Sequence, residues 1–329
     1  MTRLDPLPPG EPAQDAGAEG DLPVSPPSGE REWPRVLALF LVTLGLSLAP
    51  PSVLIGIPFM VLLLALPTQR LSGLLGAGVA AFLVFGGAER GGLWYAERGW
   101  GILLGGWFAA LTLRWPGMTL FARAAASVAG AFLVVAGLLL LWPGSWEAMD
   151  WLMGERARTG VGVTLEVMRL LSGGALPPAV AATIYRTMEI QTQVFPALVA
   201  LASLASLCVA WWLYARLSHG VRGSLRPLRE FRFNDQLVWV FIVGLLILLG
   251  ADGTLERAGS NAVVFMGALY AARGAGVVLF MTGGLSLFGT AMLLLGMLFL
   301  APVLLATALF IGLGDTWLGL RERARRLTA

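Results

Sequence analysis

Arg273 lies inside the apolar stretch NAVVFMGALYAARGAGVVLF, with Tyr270 three residues before it and Asn261 at the head of the run. A guanidinium at that depth costs at least ~2.5 to 3.5 kcal/mol on insertion scales, so it must find an acid, reach an interface, or line a polar path. Two outcomes are open. Either Asn261, Tyr270 and Arg273 form one face of a polar track that contacts a solute, or Arg273 snorkels or pairs with an acid such as Asp252 or Glu256. Asp315, after the closing Gly-Leu-Gly of the last apolar run, is expected to cap or orient the arginine-bearing tail. A second set of polar residues, Arg186, Glu189 and Gln193, shares one stripe of a helical segment that starts after Pro177 and Pro178. These six residues, Arg186, Glu189, Gln193, Asn261, Tyr270 and Arg273, are the candidate substrate contacts.

Catalytic chemistry finds little to work with. The only histidine, His219, sits among arginines in a loop, which excludes histidine triads and histidine metal clusters. Every one of the 23 cations is arginine, so the glycine-rich GGLWYAERGWG and MTGGLSLFG lack the lysine of a nucleotide-binding loop. The single Cys208 rules out an intramolecular disulfide or thiolate cluster and reads as a packing residue. We therefore expect no enzyme, no metal and no cofactor.

The chain that must position these residues is 57% hydrophobic and 13% charged, with a mean hydropathy of +0.76. An ordinary soluble domain carries roughly 25% charge. A water-soluble fold of this length could not hide so much apolar surface, so lipid is the solvent and only helices or closed barrels can span it. Long runs without strict alternation select helices. The expected fold is all-α: a polytopic integral membrane bundle of eight or nine hydrophobic helices, plus an amphipathic extracytoplasmic helical pair. The lipid bilayer is one partner. Nucleic acid is not, because the arginines lie in membrane loops and not on a soluble face.

Residues 1–32 are rich in Pro, Gly, Asp and Glu and read as a disordered tail. Residues 33–215 read as a six-helix membrane unit, with apolar runs at 36–49, 53–66, 71–87, 93–113, 119–142 and 194–215. The first two runs are short, since 14 residues of helix cover only about 21 Å of a roughly 30 Å core. Counting both as spans places Arg31 and Arg35, Arg70, Arg114 and Arg123, and then the loop 216–235 on one side. That loop carries Arg216, Arg222, Arg226, Arg229 and Arg232. Arginine-rich short loops stay cytoplasmic, so the N-terminus is expected inside a bacterial inner membrane. Arg222, Arg226, Arg229 and Arg232 are the candidate contacts to a partner or to lipid.

The island 143–193 interrupts the apolar runs on the outer side. Trp146, Met149, Met153 and Ala157 recur at helical spacing, as do Val180, Ile184 and Met188, so each half is an amphipathic helix. The pair either lies on the membrane surface or forms a lid over a binding cavity. The runs 236–250, 262–282 and 285–312 make up the C-terminal membrane region 236–314. Three crossings would carry the tail 315–329 out of the cytoplasm, against the sign of Arg321, Arg323, Arg325 and Arg326. One run is expected not to span, and 262–282, which holds Arg273, reads as re-entrant or interfacial; the short run 236–250 is the other candidate. Small residues set the close contacts: Ala122, Ala126 and Gly130 on one span, Gly101 and Gly105 on another.

The segments REFRFNDQLVWVFIVGLLILL, NAVVFMGALYAARGAGVVLF and IGLGDTWLGLRERAR resemble the C-terminal half of the YybS-like family of uncharacterised bacterial membrane proteins. The matching positions are Phe231, Phe233, Asn261, Tyr270, Gly274, Gly312 and Asp315. The six N-terminal spans are also similar in layout to the substrate-capture subunits of energy-coupling-factor vitamin transporters. That likeness implies a small-molecule uptake component that borrows ATP hydrolysis from an energising module or other membrane subunits. The Ala-x-x-x-Ala contact of those subunits is replaced here, Ala38 being followed by Val42. The alternative function is a non-transporting scaffold or regulatory protein of the cell envelope, acting through the arginine loop and tail on anionic partners.

Overall fold

A computed structural model describes residues 51–66, 70–86, 91–142, 144–171, 178–218, 230–284 and 286–328. The tail 1–32, the first apolar run 36–49, His219 and the candidate contacts Arg222, Arg226 and Arg229 lie outside them.

The described chain is helical throughout its regular structure. In order it forms α1 (Pro51–Ala65), α2 (Arg70–Phe85), α3 (Gly92–Arg114), α4 (Leu120–Leu141), α5 (Ser145–Leu171) and α6 (Pro178–Gln193). There follow α7 (Phe195–Leu217), a 3-10 turn (Asp235–Leu237), α8 (Val238–Gly250), α9 (Thr254–Met281), α10 (Leu287–Leu318) and α11 (Leu320–Thr328). Among the described residues four stretches are long and apolar enough to cross a membrane: Leu120–Leu141, Phe195–Leu217, Thr254–Met281 and Phe299–Leu318. Shorter apolar helices accompany them at Ser52–Ala65, Gly73–Phe82, Asp235–Gly250 and Phe288–Met297. Leu133, Leu140, Leu249, Phe288 and Phe310 are all exposed on the outside of the bundle, a distribution that suits lipid and not water.

The main core runs through the middle of the bundle, from Phe59 and Leu62 of α1 through Leu104 and Phe108 of α3 and Leu207 of α7 to Met266 and Tyr270 of α9. Glycine sets the closest approaches. A Cβ on Gly105 would lie 2.9 Å from Pro58 Cα, and one on Gly130 would lie 2.9 Å from the Trp107 ring, so the small residues of α3 and α4 are where neighbours press in. The tightest crossing joins α9 to α10. A Cβ on Gly274 would collide with the Ala308 carbonyl oxygen and one on Gly312 with the Tyr270 carbonyl oxygen. Only backbone fits there.

One expectation for the C-terminal region changes, and the tail, whose side was left open, finds its neighbours. The stretch around Arg273 is not re-entrant: α9 is one continuous helix of 28 residues, about 42 Å long, starting eight residues before the apolar run. Its charge needs no route to the interface, because acids from outside the helix reach it. The tail does not end opposite the arginine loop. Arg321 on α11 donates to the Phe231 carbonyl at 3.0 Å, and Arg232 pairs with Glu322 at 3.2 Å, so α11 packs on the residues that close that loop. The return is made by α10, which loses helical geometry at Leu300 (φ −125°, ψ 19°), two residues before Pro302. A Cβ on Gly296 would lie 3.1 Å from Leu304 Cδ1, although eight residues of straight helix span about 12 Å, so the two halves bend toward each other.

Candidate functional site

Asn261 and Arg273 are twelve residues apart on α9, about 18 Å along its axis. They belong to two different centres. The track expected along one face of α9 is not assembled: Asn261 faces α6 and α7, whereas Arg273 faces α10, α11 and the segment before α8.

At the Arg273 end, the guanidinium donates from Nε to Asp315 Oδ2 at 3.0 Å and from Nη1 to Asp235 Oδ1 at 2.6 Å. Its side chain is 2% exposed, that of Asp315 is 0% and that of Asp235 is 61%, so one acid is sealed in and the other opens to solvent. Arg321 completes the cluster. Its Nη2 donates to the Arg273 carbonyl at 3.0 Å, its Nε lies 3.8 Å from Asp315 Oδ2, and its backbone N–H points at Asp315 Oδ1 at 3.4 Å. Burial pushes the Arg321 guanidinium below its ordinary value, and the Asp315 carboxylate pulls it back. The partners of Arg273 are thus Asp315 and Asp235, not Asp252 or Glu256. The latter two lie near the opposite end of α9, beyond reach of an arginine side chain.

Aromatic rings roof this cluster. Phe233 stacks edge-on against Tyr270 with centroids 5.1 Å apart, the Arg273 guanidinium carbon lies 5.5 Å from the Phe233 ring, and Phe121 packs against Phe231 at 5.2 Å. Six of the seven positions singled out by the sequence resemblance, Phe231, Phe233, Tyr270, Gly274, Gly312 and Asp315, meet here. Asp235 and Arg321 belong to the same cluster and were not singled out. The signal for them was only that a buried arginine and a buried aspartate each need a second partner.

At the other end Asn261 acts as a double cap. Its Oδ1 accepts from Ala197 N at 2.8 Å, at the start of α7, where a first-turn N–H has no acceptor within the helix. Its Nδ2 donates to the Gln193 carbonyl at 2.9 Å, at the end of α6. Arg257, one turn earlier, forks onto Asp150 of α5 at 3.0 and 3.1 Å and reaches the Gln193 and Thr192 carbonyls at 3.4 Å. These bonds tie α5, α6 and α7 to α9.

The amphipathic pair folds on itself. Ile184, Val180 and Met188 of α6 pack against Val161 and Leu165 of α5, which turns Arg186 and Glu189 outward. Between the two helices and the start of α9 lies an open cleft of about 980 Å³, lined among others by Arg158, Tyr185, Arg186, Glu189, Gln193 and Arg257. The three island residues picked from sequence thus share one concavity. Arg158 and Arg257 were not picked, since their convergence depends on a fold that joins residues a hundred apart.

Fold and polar clusters together define an all-helical protein with several membrane-crossing candidates. Consistent with that, residues 164–316, just under half of the chain, match the model of a family described as a predicted membrane protein (DUF2232). No curated protein and no solved structure matches the chain.

Proposed function

We propose that this chain is the substrate-binding component of a small-molecule uptake system, taking a vitamin-sized solute at the cleft between α5, α6 and α9. The observation that carries the reading is the gathering of Arg186, Glu189 and Gln193 with Arg158 and Arg257 around one concavity of about 980 Å³. That size and mixed lining suit a small polar ligand. The reading places eight or nine hydrophobic helices in a bacterial inner membrane, with the N-terminus, the arginine loop and α11 in the cytoplasm and the cleft outside. It assigns no catalytic step, cofactor or metal. Energy comes from partner subunits, in keeping with a lysine-free chain.

Thermal unfolding of the purified protein against a broad panel of vitamins and other small metabolites tests it. A ligand that binds the folded state raises the melting temperature by mass action, by about 2.7 kcal/mol of stability at a hundredfold excess over Kd. No shift across the panel overturns the reading.

A second reading is a membrane scaffold or regulator working through the cytoplasmic end. It is supported by Arg323 and Arg326, exposed on α11, and by Arg232, which pairs with Glu322 of the same helix. Glutamine at Arg222, Arg226, Arg229 and Arg232 should then abolish recovery of a partner from detergent extracts.

A further inference from the structure

The charges around the cleft are unevenly committed. Arg257 is held by both carboxylate oxygens of Asp150, and Arg158 lies 3.6 Å from Glu155 while donating to its own Gly154 carbonyl at 3.2 Å. Arg186 and Glu189 are one turn apart on α6, a spacing at which opposite charges can meet, yet among the described residues neither forms an ion pair. Both are exposed and border the cleft. Of the charged groups that line the cleft, Arg158 and Arg257 are each met by an acid just outside it, Glu155 and Asp150, whereas Arg186 and Glu189 are the pair of opposite sign left over. Among the described residues that line it, the cleft thus offers one cation and one anion without an ion partner, a turn apart on α6.

Resting on the cleft as the solute site, we propose that its ligand is a zwitterion of amino-acid type, with its carboxylate on Arg186 and its ammonium on Glu189. A guanidinium presents a fork that matches a carboxylate in bidentate fashion. The exposed ring of Tyr185, next to Arg186, offers a face to the ammonium. A ligand bearing only one of the two charges leaves the other protein group without a partner and gains from a single contact.

The test compares matched sets on the purified chain: leucine, isopentylamine and 4-methylpentanoate, with the other standard amino acids and glycine betaine, alongside the vitamin panel. At least one zwitterion should raise the melting temperature and bind at least tenfold tighter than its amine and its acid. R186Q should weaken that zwitterion at least tenfold, R186K should recover part of the loss, and E189Q should bring the zwitterion down to the level of its acid. Both side chains are exposed and make no ion pair among the described residues, so the unliganded melting temperatures of these variants should match that of the parent chain. The comparison of the three leucine-sized ligands needs no variant at all. An acid that binds as well as its zwitterion, or variants that leave affinity unchanged, overturns the proposal. If vitamins stabilise the protein and no zwitterion does, this inference fails while the cleft reading stands; if nothing in either panel stabilises it, both fail.

Discussion

Asp315 Oδ2 accepts from Arg273 Nε at 3.0 Å across forty-two residues of sequence, with both side chains sealed from solvent. The pair holds α10 to α9 at the point where Gly274 and Gly312 let the two backbones touch. Arg321 then fastens α11 over it. The polar cluster and the glycine crossing are therefore one joint: without the close approach the charges could not pair, and without the pairing the approach would bury an uncompensated arginine.

Removing Asp315 should be far costlier than its single carboxylate suggests. Asp315→Asn leaves Arg273 and Arg321 buried with less counter-charge, and breaking a buried pair from one side costs roughly 3 to 5 kcal/mol. Thermal unfolding in detergent should show a large drop, and the double variant Arg273→Leu with Asp315→Leu should recover much of it. Equal losses in the single and double variants would count against the pair as the cause.

Gly312→Ala should be destabilising through overpacking alone. Its Cβ would collide with the Tyr270 carbonyl oxygen, and backbone cannot yield as a side chain does, so about 1 to 3 kcal/mol or more is expected. Gly78→Ala is the control, because nothing lies within 4 Å of its new methyl group. The melting temperature should fall for the first and stay level or rise for the second.

Asn261→Ala should loosen the junction between α6 and α7. It strands the Ala197 N–H and leaves the Gln193 carbonyl with only the longer bond from Arg257, and loss of such a cap costs about 0.5 to 2 kcal/mol. Hydrogen exchange should quicken at residues 193–198 while the Arg273 end, about 18 Å away, keeps its protection.

Arg257→Gln should cost little stability, since its pair with Asp150 is partly exposed and such pairs are worth about 0 to 1 kcal/mol. Its effect should appear instead in the geometry of the cleft, as a loss of whatever ligand stabilisation the parent chain shows. A full melting shift in the variant would remove Arg257 from the binding face.

Glu230 and Ala324 should be reached from the same side of the membrane. With Cys208→Ser as background, single cysteines at 230 and 324 should react together with an impermeant thiol reagent added to inverted vesicles, and neither should react in intact cells. Labelling of the two from opposite sides would contradict the packing of α11 on Phe231 and Arg232.

Much of this was readable along the chain. Helical class followed from apolar runs too long and unbroken to be strands, the amphipathic pair from the spacing of Val180, Ile184 and Met188, and the lone arginine at membrane depth from its cost. Those are local properties: each depends on residues within a few turns of one another. The partners were not readable, because they sit far away in sequence. Nothing near Arg273 names Asp315 or Asp235, and the nearest acids by sequence, Asp252 and Glu256, were the natural guess. Likewise Arg257 gives no hint of Asp150, 107 residues earlier. The direction of the tail also stayed open, since the charge pattern said inside and the count of apolar runs said outside. The structure brings the tail back beside Phe231 and Arg232 through a kink two residues before Pro302, which folds one long apolar run back on itself. The sequence thus determined which groups could not be left alone in lipid, and only the packing of the helices decided which groups they met.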